Sequence, residues 1–511
     1  MISSIPGKPR LHSRRRGLLL PLLAAAMLAA GCGTTVVNPV TGRTERTVMD
    51  EKDEIAEGRK AHEGILKEYG VVDNPRLQAY VNGVGQRLAS QSHRANLTWT
   101  FTVLDSPEIN AFALPGGYVY ITRGIMAYLD SEAELAGVIG HEIGHVTARH
   151  SAQRATRAQN AGIGVIAATV AGIVAEAYGL PGAGQLASQV SQGVAAGYVA
   201  SYSRDQELQA DELGAEYLVR NQYNPQNMID VIAVLKNQES YAAELAKAEG
   251  RAAPGGANWL STHPASDQRL ADIKRTAAKY KGSYDDDGRT RYQQAIEGMA
   301  FGESREQGIT RGRNFYHEKL GIALTAPEGW KVDNSPEAIV VANGAGDAAL
   351  VIKLIPSEAG ATHDEIIKNM LRPVDGNAQP RSVNGLAATH FAGVVRNSKG
   401  QQANARVTIV TGPNNHHYLL QYAGRDAAAL QRALGRIGEA EASFRPLSAA
   451  ERKAARPWEV RVVPMPAGGF AELERQSPLP SLAEQQLRLM NGAYGSGAAA
   501  ISPGQRIKVV Q

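Results

Sequence analysis

The stretch Ser131-Glu132-Ala133-Glu134-Leu135-Ala136-Gly137-Val138-Ile139-Gly140-His141-Glu142-Ile143-Gly144-His145 combines a helix start, an apolar stripe and two histidines four residues apart. Ser131-x-x-Glu134 has the form of a capping box and predicts a helix from there to about His150. Its apolar positions, Leu135, Val138, Ile139, Ile143 and Val146, recur at i, i+3/i+4 spacing. Gly137, Gly140 and Gly144 each cost about 1 kcal/mol of helix stability relative to alanine. Glycine at that density predicts the close approach of another backbone or a ligand.

Residues four apart project from one helix face, so His141 and His145 can chelate a single metal ion. Neutral imidazole suits Zn²⁺, one ion per chain, tetrahedral and redox-silent. Glu142 lies about 100° round the helix from His141, placed to reach a water rather than the metal. This is the H-E-x-x-H arrangement, with the glutamate as general base. An ordinary surface helix bearing two histidines is the alternative; the cap, the apolar flank and a suitable third ligand downstream argue against it. His150 falls about 140° round the helix from His145 and is expected to point elsewhere.

The third ligand is expected in a second capped helix that opens with Ser203-x-x-Gln206. Glu207 lies early in it, and Asp211, one turn on, shares its face. Asp211 is placed to accept a hydrogen bond from the non-ligating nitrogen of a metal-bound histidine. A solvated acidic helix face is the competing reading of this pair.

At 511 residues the chain exceeds a single core, and 43% hydrophobic with 20% charged residues excludes a multi-span membrane protein. Arg14-Arg15-Arg16 precede the short apolar stretch Leu18–Ala30, the pattern of an export signal. Leu28-Ala29-Ala30-Gly31-Cys32 is similar to a bacterial lipobox, in which the cysteine is lipidated. Cys32 is the only cysteine, which leaves no disulfide within the chain. Gly33 in place of an aspartate favours, by resemblance to sorting rules, an outer-membrane lipoprotein facing the periplasm. The net charge of +4 includes five basic residues before position 32 and no acid there, leaving −1 for the rest. No nucleic-acid partner is expected.

The expected layout is a lipoprotein signal peptide (residues 1–31), a tether (32–50), a mainly α-helical metallopeptidase domain with a small β-sheet (51–302), an α+β domain (315–445) and a small α/β segment (458–511). Ala161–Ala175 is uncharged and reads as a buried or covering helix. Pro446–Pro457 reads as a linker. His416-His417 reads as a pair of exposed loop histidines, and Asp285-Asp286-Asp287-Gly288 as a solvated turn without the spaced ligands of a calcium loop.

Three segments resemble the M48 metallopeptidase family, in that family's order: Asn110-Ala111-Phe112-Ala113-Leu114-Pro115-Gly116-Gly117, Glu134 to His145, and Ser203-Arg204-x-x-Glu207-x-x-x-Asp211. Ser261-Thr262-His263-Pro264 with Arg269 is similar to a further family segment. The resemblance covers roughly residues 35–280. It implies a gluzincin-type zinc endopeptidase acting on unfolded or misassembled envelope proteins. It implies that Asn110, Ala111, Phe112 and Ala113 form an edge strand that binds the substrate backbone. It leaves His263 capping the metal in a resting state, or else His263 or Arg269 stabilising an oxyanion; a turn histidine before Pro264 is the competing reading. Residues 458–511 faintly resemble a LysM module, which implies peptidoglycan as ligand; a plain accessory fold is the alternative. The rival from another class is a non-catalytic or autoinhibited, chaperone-like or peptidoglycan-binding lipoprotein.

Overall fold

The computed structural model describes residues 34–160, 202–248, 263, 267–284, 286–335, 338–396, 400–495, 498 and 500–511. The export signal, Cys32, Ala161–Ala175, Ser261, Thr262, Pro264 and Asp285 lie outside the described residues. The chain is multidomain, built of helices and sheets.

Residues 33–50, read as a tether, carry an antiparallel hairpin of β1 (Thr34–Val37) and β2 (Thr44–Thr47). Helices α1 (Glu51–Tyr69) and α2 (Pro75–Ser90) follow, then a three-stranded sheet of β3 (Thr100–Leu104), β4 (Ala111–Leu114) and β5 (Tyr118–Thr122). Its order is β3-β5-β4, which puts β4 at an edge. Beyond it come α3 (Arg123–Met126), α4 (Glu132–Thr147), α5 (His150–Asn160), α6 (Arg204–Arg220), α7 (Asn227–Ala248), α8 (Asp267–Lys279) and α9 (Arg289–Ile296). Among the described residues no helix is long and apolar enough to cross a membrane.

The helix α4 is buried along its whole length and held at both ends. Ser131 accepts from the Glu134 N–H, as a cap should, but the Glu134 carboxylate reaches one residue further back, to the Asp130 N–H at 2.8 Å. The expected reciprocal box is therefore replaced by a cap plus a bond to Asp130. At the other end Arg94 donates to the Val146 carbonyl at 3.1 Å, a cation on the negative end of the helix dipole. Glu54 binds both Arg94 and Arg149, at 2.8 and 2.9 Å, and so ties α1 to this corner.

Two of the three glycines, Gly140 and Gly144, meet the close backbone approach that their density predicted, while Gly137 faces the Met228 side chain. A Cβ on Gly144 would stand 2.9 Å from the Ala210 carbonyl oxygen, and one on Gly214 would stand 3.1 Å from the His141 nitrogen. Helices α4 and α6 thus cross backbone to backbone at Gly140, Gly144 and Gly214.

The remainder begins with β6 (Ala300–Phe301), β7 (Ile309–Arg311), β8 (Asn314–His317) and β9 (Ile322–Thr325). A seven-stranded antiparallel sheet follows, made of β10 (Trp330–Asn334), β11 (Ile339–Asn343), β12 (Ala348–Leu354), β13 (Pro373–Val383), β14 (Leu386–Arg396), β15 (Gln402–Thr411) and β16 (His417–Gly424). Helix α10 (His363–Ile366) and the π-turn after it cover one face, through Ile366, Ile367 and Leu371. Helix α11 (Ala427–Ala442) covers the other, through Ala433, Ile437 and Ala440. The segment read as a linker is structured: β17 (Arg445–Pro446) pairs with β9, and α12 (Ala449–Ala454) packs beside it, with Leu447 and Ala455 buried against Tyr316 and Ala323.

The last part runs β18 (Trp458–Pro464), α13 (Gly469–Gln476), α14 (Ala483–Met490) and β19 (Arg506–Val510), the two strands antiparallel. It does not stand apart. Strand β18 also pairs with β6, and Phe470, Leu487, Met490 and Ile507 belong to the same buried cluster as Leu129, Leu135 and Ile139. The fully buried Lys508 ammonium donates to the Leu129 carbonyl and pairs with Asp130 at 3.0 Å, directly before the cap of α4.

Two predictions follow from these contacts. Lys508→Met should lower stability by about 2–3 kcal/mol in denaturant unfolding, because it strands a carbonyl and most of a carboxylate without their ammonium. Gly144→Ala, despite a helix preference of about 1 kcal/mol, should destabilise by about 1–3 kcal/mol because the added carbon meets a backbone. Gly137→Ala, which meets only the flexible Met228 side chain, is the control and should be near neutral. Equal stability of Gly144→Ala and Gly137→Ala would contradict the crossing as a constraint.

Candidate metal centre

The crossing carries the site. His141 and His145 project from α4 toward the first turns of α6, where the Ser203 capping box is formed as expected. The Nε2 atoms of His141 and His145 are 3.0 Å apart. Glu207 lies 3.6 Å from the first and 3.5 Å from the second. The His263 Nδ1 is 3.1 Å from His141 Nε2 and 3.0 Å from Glu207 Oε1. All four side chains are buried, and their donor atoms lie within 4.8 Å of one another. A tetrahedral ion with bonds of about 2.0–2.1 Å sets its ligand atoms about 3.3 Å apart. The observed spacings bracket that value, so the donor set fits zinc in both chemistry and size.

Around these four lies a second ring of contacts. Asp211 Oδ1 is 2.9 Å from His141 Nδ1, the non-ligating side of that ring. Arg269 donates to both Asp211 oxygens, at 2.7 and 2.8 Å, and to the His263 carbonyl at 2.9 Å, and forms an ion pair with Glu207 Oε2 at 2.8 Å. Burial works against the Asp211 carboxylate, but Arg269 outweighs it and holds the group at about 2. Burial likewise opposes charge on His263, yet Glu207 and Glu142 prevail and raise its pKa above the ordinary histidine value. Glu142 Oε1 is 3.5 Å from His263 Nε2.

The structure therefore gathers His141, Glu142, His145, Glu207, Asp211, His263 and Arg269 at one buried point. Asn110, Ala111, Phe112 and Ala113 are also buried, with β4 starting at Ala111. Cys32 lies outside the described residues.

His150 is not among the gathered donor atoms, but it lies nearer to His145 than a continued helix would place it. Helix α4 stops at Thr147, Arg149 adopts a left-handed conformation (φ 61), and the chain turns back. The helical wheel no longer applies, and His150 Nδ1 arrives 2.9 Å from His145 Nδ1. Its other nitrogen faces Gln209 Oε1 at 2.9 Å. Burial lowers the His150 pKa to about 4. Tyr202 was also missed. Its ring stacks on His145 with centroids 3.9 Å apart and planes tilted by 21°, and its hydroxyl is 3.4 Å from Ser151 Oγ. Its place beside the Ser203 cap was the one available signal.

The family model described as Peptidase family M48 matches residues 75–277. The chain is 27% identical over 274 residues to the beta-barrel assembly-enhancing protease of Yersinia pestis, covering 52% of this chain and 53% of that protein. It is 32% identical over 208 residues to the Escherichia coli (strain K12) protein of the same name, 40% of each. It is 28% identical over 242 residues to the mitochondrial metalloendopeptidase OMA1 of Schizosaccharomyces pombe, 46% of this chain and 64% of that one. The chain thus spans about half the length of the curated relatives it matches. M48 metallopeptidases use zinc, and the residues that can hold it here fall within the matched region. Residues 75–277 form a peptidase family M48 domain.

Proposed function

We propose that this chain is a zinc-dependent endopeptidase of the bacterial cell envelope that cleaves misfolded or misassembled envelope proteins. One observation carries the proposal: three protein ligands, His141, His145 and Glu207, converge at tetrahedral spacing with Glu142 beside them. A bound zinc supplies Lewis acidity at that point, toward a water and a peptide carbonyl. Glu142 takes the proton of the attacking water and passes it to the leaving amine. Asp211, held by Arg269, orients His141. The edge position of β4 supports pairing of a substrate backbone along Asn110–Ala113, which gives affinity without strict side-chain selectivity. The N-terminal pattern supports the envelope setting and the outer-membrane anchor on lipidated Cys32, and the resemblance to the M48 family supports the substrate class.

A resting state is supported by His263. Its Nδ1 lies 3.1 Å from His141 Nε2 and 3.0 Å from Glu207 Oε1, so a bound metal would have it as a neighbour where a catalytic water is needed. In this reading the site is closed until His263 withdraws. For residues 458–511, the shared core and the pairing of β18 with β6 favour an accessory part of the peptidase body over a free peptidoglycan-binding LysM-like module.

Purified chain should contain one zinc and cleave an unfolded protein in a chelator-sensitive way. Glu142→Gln should keep the zinc and lose roughly 100- to 10,000-fold in cleavage rate. His263→Ala should keep zinc and cleave faster than wild type. Equal cleavage by wild type and Glu142→Gln would refute the mechanism, and a slower His263→Ala would refute the resting state.

A further inference from the structure

We propose that His150 and Gln209 form a directional hydrogen-bond relay that fixes the tautomer in which His145 presents its Nε2 lone pair to the metal, making both positioning residues of the metal site. The inference rests on the zinc reading above and goes beyond its ligands.

The argument is a proton count. His145 Nδ1 and His150 Nδ1 face each other at 2.9 Å, so one of them carries the shared proton and the other accepts it. His150 Nε2 faces Gln209 Oε1 at 2.9 Å, and a carbonyl oxygen only accepts, so His150 carries its proton on Nε2. A neutral imidazole with Nε2–H has a bare Nδ1. The shared proton then belongs to His145 Nδ1, and His145 Nε2 is left bare, 3.0 Å from His141 Nε2 and 3.5 Å from Glu207 Oε1. That is the ligating tautomer.

Running the relay the other way shows what is at stake. An amide turned by 180° would donate to His150 Nε2. His150 would then donate from Nδ1 to His145 Nδ1, and the remaining proton of His145 would sit on Nε2, aimed at the ligand cluster. One side-chain amide thus decides whether His145 can bind metal. His141 faces no such choice, because Asp211 is a carboxylate and its partner there can only be an acceptor. Both His145 and His150 are almost completely buried, which leaves little water to substitute for a missing partner. With both ring nitrogens engaged, His150 is not itself a ligand. Tyr202, stacked on the His145 face, limits rotation of that ring and keeps Nδ1 turned to His150.

The test is zinc affinity of the full chain, measured by competition with a chelator, with thermal melting of the metal-free protein as a fold control. His150→Leu should bind zinc roughly 10- to 100-fold more weakly. His150→Asn, whose Oδ1 takes the place of the bare Nδ1, should stay near the wild-type value. Gln209→Glu, an acceptor in either orientation, should bind at least as tightly as wild type. Wild-type affinity in a folded His150→Leu overturns the relay. So does an equal loss in His150→Asn and His150→Leu, which would point to packing alone, and a marked loss in Gln209→Glu overturns its direction. A wild-type chain that takes up no zinc overturns the metal reading, and the relay with it; the relay alone fails only when wild type binds.

Discussion

The close crossing of α4 and α6 is the constraint on which the site depends. Neither helix holds a complete ligand set: α4 brings two imidazoles and a general-base candidate, α6 brings the carboxylates. They can meet only if the backbones approach within van der Waals contact, and three glycines leave the room. Each glycine weakens its own helix. The loss is offset by burial of the whole of α4 and by fastening both its ends, Ser131 and Lys508 at one and Arg94 and Glu54 at the other. A helix that would be marginal alone becomes enclosed along its whole length.

Burying this many ionisable groups is costly unless each has a partner. The structure meets the condition through Arg269, whose guanidinium spans Asp211, Glu207 and the His263 carbonyl. A planar, five-donor cation suits that task where an ammonium would not. The same side chain therefore links Asp211, Glu207 and the backbone of His263. Withdrawal of His263 would break one of those bonds while leaving the two carboxylate pairs in place.

Much of the centre was legible in the sequence, for reasons of local geometry. The four-residue spacing of His141 and His145 and the cap before Glu207 are properties of single helices, and single helices obey a fixed period. What was not legible came from breaks in that period. His150 was assigned a direction by extending the helix of His145, and the left-handed Arg149 cancels the extension. Strand β13 was missed because ten of its eleven residues are exposed, so no apolar alternation marks it. The Pro446–Pro457 stretch looked like a linker because it is charged and Pro-flanked and Leu447 is its one large apolar residue, although Leu447 and Ala455 both fill sites in a neighbouring core.

The pairing of Lys508 with the approach to α4 bears on when that helix is fully fastened. Leu129 and Lys508 are separated by 379 residues. At about 5–20 residues per second, a ribosome delivers the second tens of seconds after the first. For that interval the nascent chain holds a histidine helix whose entry segment still lacks its ammonium and the strand that carries it. A truncated product ending in the α+β sheet would stay in that unfinished state. The order of these segments thus separates synthesis of the helix from the fastening of its entry segment.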